Sequence, residues 1–416
     1  MRALPFLLLA LPASAAAHGI NGHVHVTGWA IESLPPGELA DFFALPEVKD
    51  AALIGASFPD SGYAIEDGYG ELAHWEPFVE AHVQHVMRAC GPDFATLACQ
   101  KHVAFLMGGA SHGLQDEIFD SLFLFQVGEH DGAGQDEADP GTDAFLFTDG
   151  HLRFQPPLYA PFDELPAVFA EAHGYAVSAA TIRNGMNRVK FLVIDNFSAL
   201  APGLDARYRP LLPWSAEHYV DPAVPGSLAS EVPATAAYMQ ALWDRLHGRH
   251  PVNALATWAY PDSTRGEASY RLRSVEPGTV DGYVTVIFGA GARVRTLNAD
   301  TVVLQAPDGS PAPASVRHTR WSGSPEGFTR LVQLRPSAPL SYDAVYTVRL
   351  APGIELIDGR VTDAEWTTTI RTRCQDETAA GCPEPPAPTF PPPPPPDAAA
   401  PDAEAPDARA PIDAGP

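Results

Sequence analysis

The stretch "KHVAFLMGGASHGLQDEIFDSLF", Lys101 to Phe123, decides how this 416-residue chain is read. It is a long apolar-rich run suited to a buried helix. On such a helix His112 and Asp116 stand four positions apart and share one face, so both can reach a single cation. A lone His-x-x-x-Asp pair arises often by chance, and its meaning depends on what other segments bring to it.

Two upstream segments offer partners. In "IGASFPDSGY" (54–63) Asp60 sits beside Pro59 in a turn, and in "LAHWEPF" (72–78) His74 stands at a helix start. Both are donors that suit zinc. Each also has an ordinary alternative: Asp60 as a turn residue, His74 as a helix cap or a satisfied core histidine.

A fourth segment, "HGINGH" (18–23), follows an apolar leader. Met1, Arg2 and "LPFLLLALPASAAA" supply a positive start, a short apolar core and the A-x-A pair Ala15 and Ala17, the pattern of a secretory signal peptide cleaved after Ala17. Its apolar core is far shorter than the roughly 20 residues needed to cross a bilayer, so no transmembrane segment is expected in the mature chain. Cleavage makes His18 residue one, with a free amine and an imidazole that form a ready chelate near His23.

The expected organisation is multidomain: a signal peptide (1–17), an all-α domain (18–262), a linker (263–274), an all-β domain (275–374) and a disordered Pro/Ala/Asp-rich tail (375–416). "WEPFVEAHVQHVMRAC" carries Phe78, Val79, Val83 and Val86 at helical steps, and "ASEVPATAAYMQALWDRLHGRH" is a further helix with a basic end. From about Ser274 the pattern turns to short alternating runs such as "GYVTVIF", "TRLVQLRP" and "AVYTVRL" between Gly, Pro, Asn and Asp turns, a sandwich-like spacing. The tail holds six prolines from Pro391 to Pro396 and cannot bury a core.

A formal net charge of −25, with no basic stripe, argues against binding nucleic acid through phosphate neutralisation. Carboxylates that hold cations account for part of the excess, and an acidic solubilising surface is the commoner cause. The four cysteines form two close pairs, Cys90 with Cys99 and Cys374 with Cys382, which suits two local disulfides in an oxidising compartment. Their spacing does not match a structural zinc ribbon. The expected location is secreted: extracellular, cell-surface or periplasmic.

In order and wording, "IGASFPDSGY", "LAHWEPF" and "VAFLMGGASHGLQDEIFDSL" resemble the zinc-dependent phospholipase C family, and within it the N-terminal catalytic domain of glycosylphosphatidylinositol-specific phospholipase D. Fungal single-strand nucleases share that all-helical fold, and "HGINGH" has their spacing. Motif resemblance covers about residues 18–145. Downstream, "LRPSAPLSYDAVYTVRLAPGIELIDG" followed by "WTTTIRT" resembles a bacterial immunoglobulin-like domain of the surface-layer type.

The resemblance implies two or three zinc ions. Asp60, His74, His112 and Asp116 would surround one, and Asp116 would bridge to a second held by His23 and the His18 amino group, where the family usually has Trp. That amine must lose its proton to bind, which with a reference pKa of about 7.7–8.0 makes occupancy pH-dependent. For the third ion the family uses His residues and one carboxylate, whereas this chain has Asp120 where a His is expected. "VGEHDGAGQDEADPGTDAF" (127–145) offers His130, Gln135, Asp136, Asp139 and Asp143. We rank Asp120, Asp139 and Asp143 foremost, an oxygen-rich set suited to calcium, magnesium or manganese, or else empty. His82, His85 and His102 are better read as core or surface histidines.

The implied activity is hydrolysis of a phosphodiester, foremost a phospholipid, by a zinc-activated water, with Asp60 as zinc ligand and proton acceptor. Three alternatives stand beside it: a single-strand nuclease of the same fold, a surface-displayed protein with a degenerate metal site that binds a cell-surface polymer, and a copper centre built on the N-terminal His. Copper monooxygenases of that kind are β-sandwiches, whereas "HGINGHVHVTGWAIESL" reads as helical.

Overall fold

The computed structural model describes residues 19–371, apart from 92–93, 223, 250–257, 261–278, 281–283, 319–326, 339 and 342. The signal peptide, His18, the 263–274 linker, Cys374 with Cys382, and the 375–416 tail lie outside the described residues. Within them the chain is helical from Ile20–Ser33 to Leu228–Leu246 and forms small antiparallel sheets from Trp258 onward. This is the helix-then-strand order read from the change in hydrophobic period.

The Leu97–Ile118 helix runs through the centre of the helical part, with Val103, Phe105, Met107, Leu114 and Ile118 fully buried. The Thr96 hydroxyl opens it by accepting from the Cys99 amide, and the Cys90–Cys99 disulfide ties it to the end of the Glu76–Cys90 helix. Glycines let Pro46–Gly55 lie close against it: a Cβ on Gly108 would fall 2.0 Å from the Ala52 carbonyl oxygen, and one on Gly55 2.5 Å from that of Phe105. That close approach sets the depth at which His112, one turn further on, meets the Ala56 carbonyl. Beyond Ile118 the helix loosens into a π turn, Phe119–Phe123, which carries Asp120. No described helix is long and apolar enough to cross a membrane.

One sheet has the strand order Trp258–Tyr260, Val284–Arg293, Phe328–Pro336, Ala314–His318, and a second runs Val302–Gln305, Val345–Leu350, Trp366–Arg371. A two-stranded ribbon pairs Thr279–Val280 with Leu340–Ser341. The Trp258–Tyr260 strand precedes residue 262, so in the structure the sheet begins before the boundary read from the sequence. Val286, Phe288, Val332 and Leu334 from the first sheet share one core with Val302, Leu304, Val348 and Leu350 from the second. Each such side chain, fully buried, contributes about 1.5–3 kcal/mol.

The first sheet is also seated on the helices. Ile287 and Leu331 belong to the apolar cluster of Leu242, Trp243 and the central helix. Pairing between the Val284–Arg293 and Phe328–Pro336 strands is regular to Ile287 with Leu331 and resumes at Ala292 with Thr329. Residues 288–291 thus stand opposite Arg330 alone, a bulge that re-aims one side chain.

Candidate metal centre

Four segments far apart in sequence meet at the middle of the central helix. His23 lies in the first helix, Ile20–Ser33, and Asp60 opens the one-turn helix Asp60–Tyr63. His74 does not start a helix: it ends the short helix Tyr69–Ala73, and Trp75 precedes the next, Glu76–Cys90. Pro77 fixes that start, because proline is tolerated in the first turn where its missing N–H is not needed. His112 and Asp116 come from the central helix, on one face as their spacing requires. All five side chains are buried.

Each imidazole is oriented by an oxygen at its outer nitrogen. His74 Nδ1 lies 2.6 Å from the Gly70 carbonyl, and His112 Nδ1 lies 2.6 Å from that of Ala56. His23 Nδ1 lies 2.9 Å from Gln115 Oε1, while the Gln115 amide nitrogen donates to the Thr27 hydroxyl at 3.1 Å and so leaves its oxygen to accept. A nitrogen facing an acceptor carries the proton, so in the neutral ring each Nε2 lone pair points inward. This is the outer-shell arrangement that fixes the tautomer of metal-ligating histidines.

The inner atoms converge. His74 Nε2 and His112 Nε2 are 2.9 Å apart, and Asp116 Oδ2 lies 3.2 Å from the first and 3.3 Å from the second. Asp116 Oδ1 reaches His23 Nε2 at 3.0 Å, and the His23 ring stacks on His112 with centroids 3.6 Å apart. Asp60 Oδ1 stands 3.6 Å from His74 Nε2 and 3.7 Å from His112 Nε2; neither Asp60 oxygen has a hydrogen-bond partner among the described residues. Two overlapping donor sets result, His23–Asp60–His112 and His74–His112–Asp116, each with its donor atoms within 4.8 Å of one another.

Two inward lone pairs 2.9 Å apart repel unless a positive charge lies between or beside them. The electrostatics of the site carry that demand. Burial works against charging His74, yet the Asp116 and Asp60 carboxylates beside it raise it to about 10. His23 is likewise raised against its burial, by Asp116. His112 is lowered, by burial and by its neighbour His23. The Asp116 carboxyl is held well below its ordinary range by His112 and His23, in spite of burial. Protons supply the positive charge here, and a divalent cation meets the same need. Nitrogen and carboxylate donors of this kind fit zinc.

An acidic wall flanks the cluster. Burial pushes Asp120 and Asp139 well above the usual carboxylate range, and the charge of Asp116 adds to both. One oxygen of each is buried without a hydrogen-bond partner among the described residues. Asp143 is differently used: its carboxylate accepts the backbone N–H groups of Asn21 at 3.0 Å and Gly22 at 2.8 Å, capping the first helix. Burial raises it to about 6 against those bonds. Asp120, Asp139 and Asp143 enter neither donor set. Gly19 abuts this wall, where a Cβ would fall 2.2 Å from Asp143 Cγ.

Other candidates lie elsewhere. His130 stacks on Trp214, and Gln135 and Asp136 open the Gln135–Thr148 helix. His82 and His102 meet each other between two helices. Two further residues beside the centre, Gln115 and Glu231, are not among the ligands that the sequence points to. Gln115, one position from Asp116, could have been found as an amide in a ligand-bearing helix; Glu231, buried in the last helix and raised by burial and by Asp116 and Asp120, carries no local signal.

No family model and no curated protein matches the chain. Among solved structures it is similar to the S-layer protein rSbsC(31-844) at 10% identity and a TM-score of 0.21, with 85% of this chain aligned to 46% of that one. Similarity at this level carries no argument about fold or function.

Proposed function

We propose that the chain is a secreted, zinc-dependent phosphodiesterase of the phospholipase C type, with an immunoglobulin-like sandwich behind its catalytic part. The observation that carries this reading is the His74–His112 contact: two inward Nε2 atoms 2.9 Å apart, both rings oriented by carbonyl oxygens, with Asp60 and Asp116 beside them. His23, Asp60, His74, His112 and Asp116 would hold the ions, with the His18 amine as a further donor. Bound there, zinc lowers the pKa of a water toward 7 and offsets charge on phosphoryl oxygens.

The chain's own residues do the rest. Asp60 offers two carboxylate oxygens that have no hydrogen-bond partner among the described residues, one to bind and one to accept a proton. Asp116 presents its two oxygens in different directions, to His23 and to the His74–His112 pair, as a bridging ligand does. Around them, burial and mutual repulsion favour the protonated forms of Asp120, Asp139 and Glu231, and a nearby cation would favour their ionised forms, which ties the charge of this wall to metal content. Phospholipid is preferred to nucleic acid because the chain is strongly acidic, with a net charge of −25.

Metal analysis of the purified full-length chain, with phosphatidylcholine and single-stranded DNA assayed side by side, tests the proposal. Two or more zinc equivalents with phosphatidylcholine turnover are expected. Turnover of DNA alone would make it a nuclease; fewer than two equivalents and no turnover would leave a binding protein with a relic site.

A further inference from the structure

Arg330 belongs to the sheet part of the chain, yet its side chain is fully buried among the helices. The bulge opposite it swings it there. Its Nη2 donates to the His74 backbone carbonyl at 2.9 Å and its Nη1 to that of Ala110 at 3.0 Å, on the helix that carries His112 and Asp116. Its Nε is held by Glu76 at 2.9 Å and by Glu117 at 3.3 Å. Glu76 in turn accepts the Gly291 amide, from the bulge itself, at 2.9 Å.

Three features of the helical part are fitted to this guanidinium. Pro77, three residues after His74, has no N–H to offer the His74 carbonyl, which leaves that acceptor for Arg330. Gly113, next to His112, leaves the space: a Cβ there would fall 2.3 Å from the His74 oxygen and 2.6 Å from Arg330 Nη2. Glu76 and Glu117 are both buried and supply the opposite charge. One planar fork therefore fixes, from behind, the spacing between the His74 segment and the His112 helix.

We propose that Arg330 is a positioning residue for the metal centre: by holding the His74 and Ala110 carbonyls it sets the distance between the His74 and His112 imidazoles, so that metal affinity in the helical part depends on the sheet part. The proposal rests on the metal-centre reading above. It makes the sheet a working component of the site, beyond display or attachment.

Arg245 provides the control. It is also a buried arginine at the junction, paired with Glu80 and with Asp358 of the sheet part, but among the described residues it bonds to none of the centre. In the full-length chain, zinc affinity and the visible spectrum of the cobalt(II)-loaded protein are measured for the native sequence, Arg330→Met, Arg330→Lys and Arg245→Met, each beside its thermal midpoint. Arg330→Met is expected to weaken zinc about 10–100-fold, the range for losing an outer-shell partner, and to change the cobalt bands. Arg330→Lys, whose single ammonium cannot reach both carbonyls and both carboxylates, falls between. Arg245→Met lowers the thermal midpoint with native zinc affinity and spectrum. Native affinity and bands in Arg330→Met overturn the proposal, as does an equal loss in Arg245→Met; should Arg330→Met fail to fold, native behaviour of Arg330→Lys overturns it. A native chain that binds no zinc removes the metal-centre reading first, and the role of Arg330 with it.

Discussion

The protein contains two buried histidine pairs with the same Nε2 to Nε2 distance, 2.9 Å, and opposite character: His74 with His112, and His82 with His102. At the first pair Asp60 and Asp116 stand beside the nitrogens, and both outer nitrogens are committed to carbonyls. At the second, burial dominates, and the charges acting on His82 are those of His102 and His85. Both its members are lowered by burial, His102 to about 4. A neutral N–H···N bond satisfies that pair, whereas the first requires a proton or a metal. Distance between imidazoles therefore says little about metal binding; the neighbouring carboxylates and the tautomers decide it.

The contrast can be broken most sharply by truncation. His112→Ala is expected to weaken zinc by more than about 100-fold, beyond the effect of an outer-shell loss, and to abolish phosphodiester hydrolysis, while His102→Ala leaves zinc content at the native level. Equal zinc loss in both variants, read by metal analysis, would erase the distinction.

Acid separates the pairs next. In the metal-free chain the unfolded state binds a proton on His102 that the folded state refuses between about pH 6.5 and 4, and His82, also lowered, acts in the same direction, so stability falls as pH drops through that window. For His102 this amounts to about 2–3 kcal/mol. His74 runs the other way: its raised value contributes stability that is full below about 6.5 and is lost as pH rises toward 10. Urea midpoints of metal-free protein at pH 7 and pH 5 should move less in a His82→Gln, His102→Gln double variant than in the native chain.

A smaller change sharpens the role of tautomers. Gln115→Leu removes the acceptor at His23 Nδ1 without touching a ligand, and zinc affinity by competition titration should fall about 10–30-fold. Unchanged affinity would mean that the ring needs no such partner.

Much of this was legible in the chain. His112 and Asp116 share a face because a helix repeats every 3.6 residues, and the apolar run around them buries it; both facts are local. Asp60 and His74 are marked only by the wording of their segments, not by any periodicity. The Cys90–Cys99 bridge followed from proximity in sequence. Glu231 was invisible, since a glutamate in a first helical turn is ordinary and only packing places it near Asp116. That the Asp143 oxygens accept the Asn21 and Gly22 amides is likewise a matter of packing, since the two segments lie more than 100 residues apart.

Arg330 marks the boundary most clearly. By strand alternation it would share a face with Val332 and Leu334, inside the apolar core that the sheets share, where an unpaired arginine has no place. Only the bulge turns it to the helices, and only the helices supply Glu76, Glu117 and two free carbonyls to receive it. Periodicity and covalent spacing are properties of a segment, so the sequence by itself determined the helices, the strands and the paired His112 and Asp116. Which charges face each other across segments depends on burial and register, and the tertiary structure alone decided that one histidine pair has two carboxylates beside it and could hold a cation, while the other has a further histidine beside it.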